Sequence, residues 1–117
     1  MTIKNQDDYI KYRFHRSEES LNEALILVKN GSWNTVVNRL YYSCFYAVIS
    51  LLLKNNIVTQ THDGARTQFG LHFIKTGIID KKYGKLFSKL FDYDEKTVRP
   101  LIEQVKEFVG EIKKQIY

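Results

Sequence analysis

Arg39 is the residue whose setting demands the most chemistry. It is the only charge between Lys29 and Lys54 and falls within the most apolar stretch of the 117-residue chain. A guanidinium buried there needs partners. Tyr42 and Tyr46 follow at three and seven positions, and a carboxylate from another helix is the expected counter-ion. Such a residue serves either as half of a structural ion pair or as a group that grips phosphate or holds a dimer interface. A second feature is a run of lysines: Lys75, Lys81, Lys82, Lys85 and Lys89 stand against Asp80 alone and hold most of the net charge of +5. The run forms either a solvated face or a track for RNA phosphates, which Lys81, Lys82, Lys85 and Lys89 engage without reading sequence. Tyr83 and Phe87, in the same stretch, fit a core register better than a base-stacking platform. His15, His62 and His72 are the only histidines. None lies three or four positions from another or from a cysteine, so three ordinary, partly exposed imidazoles are expected, with no metal and no cofactor. Phosphate-binding glycine loops, paired-histidine zinc helices and nucleophile elbows are absent from the sequence.

The elements that must position these residues are helices. Eight Tyr, seven Phe and Trp33 supply apolar material for one core, and 26% charge argues against disorder. Residues 1–117 therefore read as a single domain. Cys44 alone excludes an intrachain disulfide and suits a reducing cytoplasm. The acidic N-terminus, with Asp7 and Asp8, does not resemble a signal peptide. The charge-free run from Leu40 to Leu53 is shorter than the ~18–20 residues of a membrane span and reads as a buried helix, so no membrane partner is expected.

Ile10, Phe14, Leu21, Ala24, Leu25 and Val28 share one face of a first helix from Asp7, closed by Asn30-Gly31. Ser32 is the expected N-cap of a second helix running to Lys54, apolar around most of its circumference. A loop covers 55–61, and Thr61 or Asp63 caps a third helix over 62–75 with Phe69, Phe73 and Leu71 inward. Asp80 caps a fourth from Lys81 to about Leu90, with Tyr83, Leu86, Phe87 and Leu90 inward. The last helix starts near Thr97, with Pro100 in its first turn and Leu101, Val105, Phe108, Ile112 and Ile116 on one stripe. The fold class is all-α, a compact up-and-down bundle of four to five helices.

Three blocks of sequence carry a resemblance. They are Asn38-Arg39-Leu40-Tyr41-Tyr42-Ser43-Cys44-Phe45-Tyr46-Ala47, then Thr61-His62-Asp63-Gly64, then Phe69 with His72-Phe73-Ile74-Lys75-Thr76-Gly77. In this order they resemble the HEPN superfamily, and most closely its short, single-domain branch found beside minimal nucleotidyltransferases. The resemblance implies a cytoplasmic helical bundle that forms a homodimer and works in toxin–antitoxin or defence modules. Many members are metal-independent ribonucleases. In those, an Arg and a His four to six residues later form a composite site in which the RNA 2′-hydroxyl attacks the adjacent phosphate.

The family arginine normally precedes an Asp-Tyr pair. Here Asp92-Tyr93 is present, but residues 86–91 are Leu-Phe-Ser-Lys-Leu-Phe and no His follows. The stretch between Phe91 and Val98 is also shorter than the family pattern. Arg66 and His72 satisfy the Arg-to-His spacing, although on a continuous helix they point about 120° apart. His62 and Arg66 share a face, and the resemblance, in which the His62 block recurs whether or not the ribonuclease motif is intact, implies a structural or interface role for His62. Two readings follow. In the first, the chain is a non-catalytic HEPN module that dimerises, contacts a minimal nucleotidyltransferase and holds RNA or a nucleotide along the lysine face. Arg39, Tyr42, His62 and the Asp92-Tyr93 corner then lie at the interface or former active site. In the second, it is a ribonuclease toxin whose Arg and His come from an unusual place, Arg66 and His72, or from a segment missing between Phe91 and Val98. Tyr93 is a candidate modification site for the nucleotidyltransferase.

Overall fold

The computed structural model describes residues 6–90 and 95–117. Five α-helices follow one another: α1 (Gln6–Val28), α2 (Trp33–Lys54), α3 (His62–Phe69), α4 (Lys81–Lys89) and α5 (Glu95–Ile116). A π-helical turn, Gly70–Ile74, continues α3. The architecture is the all-α bundle expected from the sequence pattern.

The α1–α2 pair is the most extensive helix contact in the bundle. Its seam carries serines where larger residues would hold the helices apart. Ser17 Oγ donates to the Ser43 carbonyl at 2.6 Å, and Ser43 Oγ returns a bond to the Ser17 carbonyl at 2.9 Å. Seven residues along, Ser50 Oγ donates to the Ile10 carbonyl at 2.8 Å. Ile10 and Ser17 thus meet Ser50 and Ser43, an antiparallel register. The hydroxyls satisfy themselves on the facing backbone, which lets two helices come close without stranding polar groups.

By length and composition α2 could cross a bilayer, with a mean hydropathy of 1.4 over its most apolar window, but 61% of that window is buried inside the protein. It packs against α1, α5 and α3. Opposite it, α5 presents Val98, Ile102, Val105, Phe108, Val109, Ile112 and Ile116, all buried. Phe69, Phe87 and Phe108 join α3, α4 and α5, with Phe108 5.7 Å from Phe69 and 6.0 Å from Phe87 between ring centroids.

Local signals set most boundaries. Thr61, in extended backbone, caps α3 by accepting from the Gly64 N–H at 2.9 Å. A Cβ on Gly64 would lie 2.9 Å from the same Thr61 Oγ1, so the cap needs glycine there. Asp80 accepts from the Lys82 N–H and starts α4. Tyr83, Leu86, Phe87 and Leu90 all point inward.

Four expectations need correcting. Ser32 precedes α2 but makes no side-chain cap. Leu71 is 49% exposed, because Phe69 and Phe73, four residues apart, share the inward face and Leu71, two residues from each, lies about 160° away on the opposite side. Pro100 lies in the second turn of α5, since the helix begins at Glu95, two residues before Thr97. Leu101 is only partly buried, and Ile102 takes its place in the stripe.

Two consequences are measurable. Ser17→Ala removes a satisfied seam bond and lowers the unfolding free energy by about 1 kcal/mol. Ser20 Oγ is buried with no hydrogen-bond partner among the described residues, so Ser20→Ala leaves the urea midpoint unchanged or raises it. Cys44 is fully buried and its thiol is pushed well above the ordinary range by desolvation. It reacts with a thiol reagent only as the chain unfolds.

Candidate functional site

α2 and α3 meet around His62. Tyr41 is 4% exposed, and its phenol lies 2.7 Å from His62 Nδ1. The exposed imidazole stacks on Phe45, with ring centroids 4.2 Å apart and planes 9° from parallel. Tyr42 approaches it edge-on at 5.9 Å. These contacts fix the ring in place. Burial holds the Tyr41 phenol above its usual range; Arg66 opposes this shift, and Tyr42, Cys44 and Asp63 add to it. Tyr41 therefore keeps its proton through neutral pH.

His62 opens onto a groove of about 340 Å³ that Tyr42, Arg66, Asn34 and Asn38 also line. A second groove, about 450 Å³, lies between α3 and α4 and also touches Arg66. Its rim carries Lys81, Lys85 and Lys89, and its floor is Phe69, Phe87 and Ile74. Gly84 lets α4 approach the π-helical turn, since a Cβ there would meet Ile74 at 3.2 Å. Among the described residues, no acidic side chain lines either groove. The two grooves adjoin at Arg66 and at the end of α4, where Lys89 lines one and Leu90 the other.

The lysines expected to form a track therefore divide. Lys81, Lys85 and Lys89 border one groove, while the Lys82 ammonium lies 5.0 Å from the Tyr83 ring centroid. Arg39 borders neither groove. Its expected counter-ion on another helix is Glu23 of α1, at 3.9 Å. Its expected burial is overturned: the side chain is 30% exposed, because α2 at this level faces the polar edge of α1. Arg39 also donates to Asn38 Oδ1 and lies 5.7 Å from the Tyr42 ring centroid. Tyr46 is covered instead by Arg16, at 5.4 Å.

Arg66 is ion-paired with Asp63, whereas exposed His72 lies 3.0 Å from Gln68 Oε1 and borders neither groove. The π-helical turn advances less per residue than an α-helix, which swings His72 farther from Arg66 than regular geometry would. His62 and Arg66 do share a face and a groove. Asp92 and Tyr93 lie outside the described residues. The sequence reading did not assign Asn34, Asn38 or Tyr41 to the site. The signals for Tyr41 were its place beside Tyr42 in an apolar run and within the first block of the family resemblance, which Asn38 also shares.

Against known families, the HEPN domain matches residues 10–115. The chain belongs to the HEPN family. Relatives of this HEPN chain include a UPF0332 protein of Thermotoga maritima, 30% identical over 97% of this chain and 96% of its own length. That alignment spans 126 positions, so the relative carries residues with no counterpart in these 117. A UPF0332 protein of Pyrococcus horikoshii is 35% identical over 76% of this chain and 63% of its own. A protein of Methanocaldococcus jannaschii named "Putative toxin MJ0605" is 32% identical over 86% of this chain and 83% of its own.

The raised Tyr41 ionisation has a signed consequence for this HEPN bundle. Above pH 10 the unfolded chain loses that phenolic proton more readily than the folded one, so stability falls as pH rises through that range. Urea titrations between pH 9 and 11 should show a smaller alkaline loss in Tyr41→Phe than in the wild type.

Proposed function

We propose that this chain is the RNA-binding module of a HEPN toxin–antitoxin-type system, acting as a homodimer in the cytoplasm beside a minimal nucleotidyltransferase. It binds RNA rather than cleaving it. One observation carries this reading: Arg66, Lys81, Lys85 and Lys89 surround a single groove whose lining, among the described residues, has no acidic side chain. Four cations bordering one channel match the spaced charges of a nucleic-acid backbone, and lysine supplies attraction without sequence preference. The net charge of +5 adds to the same field. The toxin name of the Methanocaldococcus relative supports the biological setting.

A ribonuclease built on Arg66 and His72 would need the two side chains to converge on one phosphate. Their separate partners, Asp63 and Gln68, count against it.

Fluorescence anisotropy with a labelled oligoribonucleotide tests the binding. Affinity should fall linearly with the logarithm of salt concentration, with a slope of about −0.7 per phosphate neutralised. The Lys81→Glu, Lys85→Glu, Lys89→Glu variant should bind at least about tenfold more weakly, with a shallower slope. Salt-independent binding, or binding unchanged in that variant, would sink the proposal. Without metal, wild type and an Arg66→Ala, His72→Ala variant should both leave the RNA intact.

A further inference from the structure

Resting on the RNA-binding reading, we infer that the groove between α2 and α3 is a phosphate-docking subsite, in which His62 Nε2–H and the Arg66 guanidinium hold one phosphate and Tyr41 is the positioning residue. It is distinct from the Arg-to-His pair implied by the family resemblance and from the lysine rim itself.

The subsite takes the Tyr41 phenol as the donor of its bond to His62. Tyr41 is 4% exposed and its hydroxyl stands 2.7 Å from Nδ1. When the phenol donates to Nδ1, the neutral ring carries its proton on Nε2. When the ring is protonated, Nδ1–H donates back to the phenol oxygen and Nε2 still bears a proton. With the phenol as the donor, Nε2 bears a proton in both states, and it has no partner among the described residues. A nitrogen protonated in this way holds phosphate oxygen; it does not abstract the proton of a 2′-hydroxyl.

Its surroundings select an anion. Arg66, one turn after His62, borders the same groove, and Asn34, Asn38 and Tyr42 supply uncharged polar groups. Asp63, the nearby carboxylate among the described residues, is ion-paired with Arg66, and its side chain is 86% exposed and does not line the groove. Asn38 Oδ1 accepts from Arg39, which leaves the amide nitrogen as the carboxamide's unengaged polar atom among the described residues. Tyr42 is half-buried, with its ring edge-on to His62, and forms a wall of the same groove. The lysine rim meets this groove at Arg66. A strand drawn along Lys81, Lys85 and Lys89 therefore reaches a fixed point where one phosphate is held by oriented donors.

Histidine-selective NMR tests this, because the chain has only His15, His62 and His72. Long-range ¹H–¹⁵N spectra of the full chain should show neutral His62 with its proton on Nε2. Titration with a uridine pentanucleotide at low salt should shift the His62 ring saturably while His15 and His72 stay in place. Tyr41→Phe, which keeps the ring stack, should give mixed His62 tautomers and weaken binding about 3- to 10-fold. The Lys81→Glu, Lys85→Glu, Lys89→Glu variant should weaken binding with the His62 tautomer unchanged. A His62 proton on Nδ1, or RNA that binds through the lysines without moving the His62 ring, would overturn the subsite and leave the lysine groove standing. Failure of the wild type to bind would instead overturn the RNA-binding reading together with the subsite.

Discussion

The enclosure of α2 is the constraint on which the rest of the molecule depends. A 22-residue helix apolar enough to cross a bilayer must be covered on almost every side once it is in water. Each fully buried Val, Leu or Ile contributes about 1.5–3 kcal/mol. Leu40, Val48, Leu51 and Leu52 are among those buried on this helix. Covering α2 requires neighbours at different separations. The serine seam brings α1 in close, while larger aliphatic and aromatic side chains of α5 fill the opposite side.

The same constraint creates the site. Where α3 begins, the cover on α2 is an imidazole rather than an aliphatic side chain, so the Tyr41 hydroxyl finds a polar partner at 2.7 Å. A buried phenol needs that bond. Meeting the need fixes His62 against Phe45 at the edge of the groove. Arg66 follows one turn later and connects this edge to the lysines of α4. Core packing and the donor geometry of the surface are thus one arrangement: the bond that satisfies the interior also orients the exterior.

What the sequence discloses and what it hides divide by range. The limits of α2, the Thr61 and Asp80 caps and the inward set of α4 depend on neighbours a few residues away, and they read directly from residue type and spacing. Leu71 was misplaced on its apolar character alone, since two residues from both Phe69 and Phe73 it falls on the opposite helix face. Beyond the π-helical turn the Ile79 N–H bonds the Phe73 carbonyl, and Ile79 is buried. Arg39 looked buried because its own helix is apolar, yet its exposure is set by the face of α1 that carries Glu23. The lysine cluster was visible as a run of charge. Its division into three groove-lining residues and Lys82 depends on the angular position of each around α4. The Tyr41–His62 bond spans 21 residues and two helices, beyond the reach of local pattern.

The central claim is that RNA lies along the groove bordered by Lys81, Lys85 and Lys89. Lysine acetylation footprinting by mass spectrometry, with and without bound oligoribonucleotide, addresses it most directly, because lysines elsewhere on the surface, including Lys11, Lys54, Lys106 and Lys114, are also exposed and serve as internal controls. The account predicts selective protection of Lys81, Lys85 and Lys89. Protection spread evenly over all surface lysines, or confined to those outside the groove, would contradict it.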